Sequence, residues 1–430
     1  MKLNIMKYKF LRDTDAVTDN DLKHVKNRRL VLVVLSLIAV LLMLCMAITV
    51  APKFNPRNGG EAPILACYLW IGGTAWEETL QAYTELCTHV LVAFATVNNC
   101  SIQLNEETTK ALRMARTQLP AHTKLLLSVG GASNTDGFPI MVRDHASRKI
   151  FIKSIKSVLR EYALDGIDLD WEFPGYRGFN FVKMLQSRRE KQHFSQLLRE
   201  IRQEFIREKR DYLLTVAIAA QQIIAMVAYD VDQINNYVDF ANIMSYDYHF
   251  FSSYTPFTGF NSPLYERPDE SSYLSSLNIN FTVNWYVSQG LSRDKIVVGI
   301  PTYGHSFTLV NSNNHGVGSP ASGYGSFGNF VDYPQVCKYI ENNSSAKVEY
   351  DKIAQVPYLY NDKEWVSFET PESVEKKAEY IVQQNLRGAM IYSLNADDYK
   401  GHCHGNFGNN TIFPLTQAVK NTLHLSLVLI

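Results

Sequence analysis

The sequence predicts an α/β protein built as a (β/α)₈ TIM barrel, with a small α+β insertion between strand 7 and helix 7, and with a single transmembrane helix ahead of the barrel. Three observations support this prediction. Eight apolar, β-branched runs recur between residues 64 and 395, and helical or polar stretches separate most of them. One gap between runs is far longer than a barrel helix requires, and one uncharged apolar run precedes the first strand.

The first 63 residues predict a membrane anchor. Residues 30–50 are uncharged and apolar, and they are long enough to cross a hydrocarbon core of about 30 Å as a helix. Four basic residues crowd the amino-terminal flank, which predicts a type II orientation with a cytosolic amino terminus. A cleaved signal peptide is the alternative, but the charged segment before the apolar run is unusually long and no convincing cleavage site follows it.

We therefore expect four regions along the chain. They are a cytosolic tail over 1–29, a transmembrane signal-anchor helix over 30–50, a stalk over 51–63 and a barrel over 64–425 that is extracellular or Golgi-luminal. Five Asn-x-Ser/Thr sequons fit an exported domain, although chance would supply a few of them.

The eight runs predict the barrel strands. They cover residues 64–70, 88–97, 124–131, 166–173, 213–221, 240–248, 295–304 and 388–395. Helical patterns over 187–207 and 374–385 fit the expected alternation. More than 80 residues rich in Gly, Ser, Asn and Tyr separate the last two strands, so we expect an inserted subdomain at about 308–368.

The fourth run carries Asp168, Asp170 and Glu172 in alternation with apolar residues. A strand with a side-chain period of two points these three acids to one face, about 7 Å apart. Neighbouring carboxylates are tolerated when they share protons, which keeps some ionised and holds one protonated near neutrality. Cleavage of a glycosidic bond needs such a protonated acid beside a carboxylate. A solvated acidic edge strand or a calcium loop is the alternative, but the EF-hand spacing is missing and Trp171 does not suit a solvated strand.

The pattern Asp165-Gly-x-Asp-x-Asp-x-Glu172 resembles the catalytic signature of glycoside hydrolase family 18, the chitinases and chitinase-like lectins. The resemblance extends over about residues 64 to 405. Further segments match the family in its order, and they are Ser128-x-Gly-Gly, Met244-x-Tyr-Asp, Asn261-Ser-Pro-Leu-Tyr, Pro301-Thr-Tyr-Gly and Gly388-Ala-Met. One such motif is weak, whereas six in order are specific.

The resemblance implies hydrolysis of β-1,4-linked N-acetylglucosamine, as chitin or chitooligosaccharides, by a retaining mechanism in which the substrate's acetamido group is the nucleophile. It implies that Glu172 is the general acid and that Asp170 orients the acetamide N–H. It further implies that Asp168 holds the shared proton and that Tyr246 donates to the acetamide oxygen. The expected substrate-binding residues are Asp247, Tyr392, Tyr303, His305 and Trp70.

The resemblance also suggests disulfides between Cys67 and Cys87 and between Cys337 and Cys403, with Cys100 left over. We expect no metal and no organic cofactor. The basic and acidic side chains number 42 each, so net charge gives no reason to expect nucleic acid as a partner. The expected partners are N-acetylglucosamine oligosaccharides or chitin and a membrane crossed once, and we expect a monomer.

Four positions depart from the pattern of active relatives. His305 stands where Arg is frequent, Tyr392 where Trp usually lies beneath the cleaved sugar, Ala132 where Trp often follows Gly-Gly, and Phe250 where Gly follows His249. The acids are complete, but the stacking surfaces are reduced. The alternative function is therefore a membrane-tethered lectin that binds chitin or oligosaccharides with little or no turnover.

Overall fold

The structure is a computed structural model that describes residues 62–428, except for 74, 84, 133–135, 179–187 and 271. The predicted cytosolic tail and transmembrane helix, and nearly all of the predicted stalk, lie outside the described residues. Among the residues that are described, no helix is long and apolar enough to cross a membrane.

Eight parallel strands close into a ring. The strands in chain order are β1 (Ile64–Trp70), β2 (His89–Asn98), β3 (Ser101–Gln103), β4 (Lys124–Gly130), β5 (Gly166–Asp170), β6 (Leu213–Ala219), β7 (Phe240–Met244), β8 (Ile296–Pro301), β9 (Tyr303–Leu309), β10 (Ala321–Gly323), β11 (Val331–Asp332), β12 (Lys347–Asp351), β13 (Val356–Asn361), β14 (Glu364–Ser367) and β15 (Gly388–Tyr392). The ring runs β1-β15-β8-β7-β6-β5-β4-β2, and β2 pairs with β1 to close it. The predicted barrel is confirmed.

Helices follow most of the barrel strands. They are α1 (Ala75–Ala82), α2 (Glu106–Gln118), α3 (Phe138–Val142), α4 (His145–Glu161), α5 (Glu190–Arg207), α6 (Gln222–Ala228), α7 (Val231–Tyr237), α8 (Ile279–Ser288), α9 (Tyr333–Asn342), α10 (Pro371–Gln383) and α11 (Pro414–Val428). Short 3₁₀ helices lie at Leu274–Ser276, Arg293–Lys295, Leu394–Ala396 and Gly405–Phe407.

Polar side chains define where several helices begin. Asn105, Asp144 and Asn278 each accept a hydrogen bond from the backbone N–H three residues later, at the starts of α2, α4 and α8. Thr370 does the same for α10, where Pro371 occupies the first turn. These residues satisfy N–H groups that a helix leaves without a partner, and each such cap contributes about 1 kcal/mol.

A second sheet lies between barrel strands β8 and β15 in the chain. It has the order β10-β9-β14-β13-β12, and β11 pairs with β9. Phe307, Trp365 and Phe260 pack in its core. The run predicted as one barrel strand over 295–304 contains two strands of different sheets, because the chain leaves the barrel at Thr302 and begins β9 at Tyr303. The second sheet therefore begins beside the mouth of the barrel.

Both predicted disulfides are confirmed. Cys67 of β1 is joined to Cys87, which precedes β2, and Cys337 of α9 is joined to Cys403, which precedes α11. Within the described part of the chain, Cys100 is the free cysteine, as the sequence predicted.

His89 is buried at the amino end of β2, on the side of the barrel opposite the mouth. Its ring meets the ring of Phe240 edge to face, with the centroids 5.3 Å apart. Burial, and after it the positive charges of Arg387 and Lys124, lower the pKa of His89 to about 4.

We predict that His89→Gln makes the free energy of unfolding less sensitive to acid. An unfolded histidine binds a proton near pH 6.5 and folded His89 near pH 4, so the wild type loses stability as the pH falls through this window. The loss amounts to about 3 kcal/mol at the lower end. Urea unfolding at pH 7 and at pH 4.5 measures the difference. The exposed His122→Gln should behave like the wild type, and a His89→Gln variant with unchanged acid sensitivity would contradict the prediction.

Candidate active site

The three acids of the fourth barrel strand point into the barrel. Asp168 and Asp170 lie on β5 and are buried, and Glu172 follows the carboxyl end of the strand and is half-buried. Trp171 points the other way and stacks on Phe138, with ring centroids 5.2 Å apart. The alternation in the sequence therefore separates a catalytic face from a packing face, as expected for a strand.

The backbone geometry explains the paired glycines, Gly130 and Gly131, that follow Ser128. The φ of Gly130, 119°, lies in the region that favours glycine, and a Cβ there would lie 1.9 Å from the carbonyl oxygen of Asp170. The next residue, Gly131, donates its N–H to that same oxygen at 2.8 Å. The glycines therefore allow the ends of β4 and β5 to approach closely beneath the acids.

The carboxylate of Asp168 accepts four hydrogen bonds inside the barrel. Tyr68 and Ser128 donate to Oδ2 at 2.8 and 2.7 Å, and Thr215 and Asn242 donate to Oδ1 at 2.6 and 3.4 Å. Burial raises the pKa of Asp168, and these donors oppose the rise. The family resemblance implies that Asp168 holds the shared proton, whereas these four donors favour its ionised form.

The surroundings of Asp170 differ from those of Asp168. The Oδ1 atom of Asp170 is buried and has no hydrogen-bond partner among the described residues. Burial first, and then the charges of Glu172 and Asp168, raise its pKa well above the usual range. The geometry therefore favours an ionised Asp168 and a protonated Asp170, which lies nearer the mouth of the barrel. One buried acceptor atom of Asp170 has no partner among the described residues.

Glu172 lies nearest the mouth of the barrel. Burial, and after it the negative charge of Asp247, raise its pKa to about 7. Close to neutral pH this carboxyl is thus divided between its acid and its carboxylate form. A group in that state can give up a proton and later take one back.

Aromatic rings form one wall beside the acids. Tyr392 stacks on Tyr246 with centroids 5.7 Å apart, and Tyr246 meets Tyr303 at 6.0 Å. Burial raises the pKa of Tyr246 and of Tyr303 well above the usual value, so both remain O–H donors. The structure thus brings the predicted residues Tyr246, Tyr303 and Tyr392 together.

Asp247 turns its carboxylate toward this wall. Its backbone adopts φ 54°, and its N–H donates to Oδ1 of Asn261 at 2.8 Å. Its own Oδ1 accepts from the hydroxyl of Tyr303 at 2.6 Å and lies 2.7 Å from Nε2 of His305. Tyr303 and His305 therefore fix one side of the carboxylate. The side chain is 40% exposed, so its other side faces solvent.

His305 lies behind Asp247 and is 1% exposed. Its Nδ1 is 2.7 Å from the carbonyl oxygen of Asn329, which can only accept, so Nδ1 carries a hydrogen. Its Nε2 faces the carboxylate of Asp247. The sequence predicted His305 as a substrate-binding residue, whereas its burial makes it a residue that positions Asp247.

Trp70 is at the carboxyl end of β1 and is 42% exposed. The side chain of Asn395 accepts from the backbone N–H of Trp70 at 2.8 Å and donates to its carbonyl at 3.0 Å. The indole covers Gly72, where a Cβ would lie 1.9 Å from the ring. The predicted contact residue Trp70 therefore stands at the mouth as an exposed ring whose backbone is held by Asn395.

Several residues of the site carry no signal in the sequence. They are Tyr68, Thr215, Asn242, Asn329 and Asn395. Each meets its partner only when the barrel or the second sheet is assembled, so no local pattern marks it. In the described ranges, no group of three His, Cys, Asp or Glu side chains is arranged to hold a metal ion. The predicted lack of a metal and of a cofactor stays a prediction.

The sequence is similar to those of known proteins. A family model described as glycosyl hydrolases family 18 covers residues 64–397. Chitotriosidase-1 of Mus musculus is 36% identical over 381 residues, which are 85% of this chain and 79% of that protein. Chitinase-3-like protein 2 of Homo sapiens is 32% identical over 391 residues, which are 85% of this chain and 94% of that protein.

Solved structures of relatives share the fold. The Group IV chitinase of Ostrinia furnacalis in complex with allosamidin has a TM-score of 0.75 at 30% identity, covering 85% of this chain and 99% of that one. Human YKL-39, described as a pseudo-chitinase with retained chitooligosaccharide binding properties, has a TM-score of 0.76 at 30% identity, covering 84% and 100%. Chains with and without hydrolytic activity are therefore among its relatives.

We predict that Asp247→Asn lowers the pKa of Glu172, because it removes the negative charge that helps to raise that pKa from its ordinary value. The pKa should still exceed 4.5, since burial is the larger cause. NMR titration of isotope-labelled glutamate carboxyls measures it, with the Glu172 signal assigned by its loss in Glu172→Gln. Asp211→Asn, an exposed control, should change nothing, and an unchanged or higher pKa in Asp247→Asn would contradict the assignment.

Proposed function

The chain belongs to family 18 of the glycosyl hydrolases, and we propose that it hydrolyses β-1,4-linked N-acetylglucosamine, as chitin or chitooligosaccharides, with retention at the anomeric carbon. One observation carries this proposal. The complete acidic row ends in Glu172, whose pKa of about 7 suits a general acid at the mouth of the barrel. The similarity to mouse chitotriosidase-1 supports the same substrate class.

In the first step, Glu172 protonates the glycosidic oxygen as its bond to the anomeric carbon breaks. The acetamido carbonyl oxygen of the same sugar attacks that carbon and forms an oxazolinium ion, so no second protein carboxylate has to act as the nucleophile. The unpartnered Oδ1 of Asp170 accepts the acetamide N–H, and the hydroxyl of Tyr246 donates to the acetamide oxygen. The negative charges of the row stabilise the cation.

In the second step, a water molecule attacks the anomeric carbon from the side that the leaving group vacated. Glu172 is now a carboxylate and takes the proton of that water. The oxazolinium ring opens, and the sugar keeps its original anomeric configuration. Asp168 remains ionised throughout, because its four donors stay in place, and it keeps a proton on its neighbour Asp170.

A second candidate function is binding without turnover. Tyr392 and Ala132 replace indoles that active relatives usually carry, which reduces the stacking surface. The chain is also similar to human YKL-39, a pseudo-chitinase that retains chitooligosaccharide binding. The presence of Glu172 favours turnover over this alternative, since the acid has no role in simple binding.

We predict that Glu172→Gln lowers turnover of a fluorogenic chitotrioside by about 10²- to 10⁴-fold, because the leaving oxygen loses its proton donor. Binding of the oligosaccharide should survive, since Gln is nearly isosteric with Glu. Glu161→Gln makes the same change on an exposed helix end and should leave turnover unaltered.

Two results would oppose the enzymatic proposal. Undiminished turnover in Glu172→Gln would remove Glu172 from the mechanism. A wild-type protein that binds the oligosaccharide and does not cleave it would assign the lectin function instead.

We further propose that residues 30–50 anchor the protein in a membrane in type II orientation, with the barrel extracellular or Golgi-luminal. The two disulfides support an oxidising compartment for the barrel. In sealed microsomes, protease should spare the barrel and remove an epitope placed in the first 29 residues, and alkaline carbonate should not extract the protein. A barrel digested in intact microsomes would contradict the orientation, and a carbonate-soluble product would indicate a cleaved leader.

A further inference from the structure

We propose that Phe250 and Phe330 form a sugar-stacking rim beside Asp247, where a further sugar unit of the oligosaccharide binds. This inference rests on the proposed function. Phe250 follows barrel strand β7 and is 39% exposed, and Phe330 precedes β11 of the second sheet and is 53% exposed. Two separate parts of the chain thus each place a solvent-exposed phenyl ring at the same place in the fold.

Both phenyl rings contact one buried residue. The ring centroid of His305 lies 5.7 Å from that of Phe250 and 5.4 Å from that of Phe330. Both nitrogens of His305 are engaged, by Asp247 and by the carbonyl of Asn329, so its ring cannot turn. The rim therefore has a fixed support, and a ligand that stacks on it loses little affinity to the ordering of side chains.

The rim continues the aromatic wall of the active site toward solvent. Tyr246 contacts Tyr303 at 6.0 Å, and Tyr303 contacts Phe330 at 5.0 Å between ring centroids. Exposure rises along this path from 7% at Tyr246 and 5% at Tyr303 to 53% at Phe330. A sugar chain held at the acids can thus follow contiguous rings out of the barrel.

The chemistry of the rim fits a pyranose ring. The apolar C–H face of an N-acetylglucosamine unit can pack on a phenyl ring, while its O–H and N–H groups need acceptors at the edge. The carboxylate of Asp247, 40% exposed, supplies an acceptor, and it contacts the same His305 on which both phenyl rings rest. Two rings are too small an area for a stable protein interface, which buries about 800 Å² on each partner.

A binding role for the rim also gives a reason for the departure of Phe250 from the family pattern. Phe250 stands where active relatives have glycine, and its apolar ring is exposed to water unless a ligand covers it. Ala132 and Tyr392 provide less stacking surface than the indoles they replace. Phe250 and Phe330 add aromatic surface at the outer end of the wall to which Tyr392 belongs, where the insertion meets the barrel.

Calorimetric titration of chitohexaose into Glu172→Gln tests the rim, because this variant keeps the ligand intact. Adding Phe250→Ala or Phe330→Ala should weaken binding by about three- to ten-fold each, the range expected for loss of one aromatic contact. Phe330→Trp and Phe250→Tyr should restore the affinity, since each retains an aromatic face. Ile206→Ala removes a 67% exposed apolar side chain from an outer helix and should have no effect.

Thermal unfolding of every variant separates a lost contact from a damaged fold, because the alanine variants should keep the wild-type Tm. An unchanged Kd in both alanine variants, or a loss that the aromatic replacements do not restore, overturns the rim. If the wild type cleaves chitohexaose while the alanine variants bind normally, the rim fails and the enzymatic proposal stands. If the alanine variants bind weakly and the wild type does not cleave, the rim stands and the enzymatic proposal fails.

Discussion

The burial of Asp168 imposes the strongest constraint on this barrel. A carboxylate removed from water must be hydrogen-bonded on both oxygens, since its charge is otherwise too costly to bury. Here the donors come from four other strands, Tyr68 on β1, Ser128 on β4, Thr215 on β6 and Asn242 on β7. Their convergence ties opposite sides of the ring to one point and fixes the register in which the neighbouring acids face the interior.

The order of protonation follows from this fixed charge. Because Asp168 keeps its charge, Asp170 directly above it cannot easily ionise, and Glu172 meets further negative charge from Asp247. Burial supplies the larger part of both pKa shifts, and the neighbouring carboxylates add to it. The row is thus graded from an ionised base to an acid that exchanges protons near neutrality, and the gradient arises from depth in the barrel combined with hydrogen bonding.

Much of the arrangement of the acidic row could be predicted from the sequence, because its residues are neighbours in the chain. The acidic row lies within one strand, and its alternation with Leu169 and Trp171 is enough to assign a catalytic and a packing face. The roles of Asn395 and His305 could not be predicted in this way. Asn395 hydrogen-bonds the backbone of Trp70 from more than 300 residues away, and His305, on β9 of the second sheet, meets Asp247 only when that sheet packs beside the barrel. For the same reason one apolar run was predicted as a single strand, although Thr302 divides it between two sheets.

The second sheet therefore belongs to the active site. A single residue, Thr302, separates barrel strand β8 from strand β9, and β9 carries both Tyr303 and His305 to the carboxylate of Asp247. The carbonyl of Asn329, just before β11, then fixes the other side of the His305 ring. Since Asp247 in turn raises the pKa of Glu172, the insertion influences the acid on β5 through a short series of direct contacts. An insertion tolerated only as a surface loop would not need buried polar contacts of this kind.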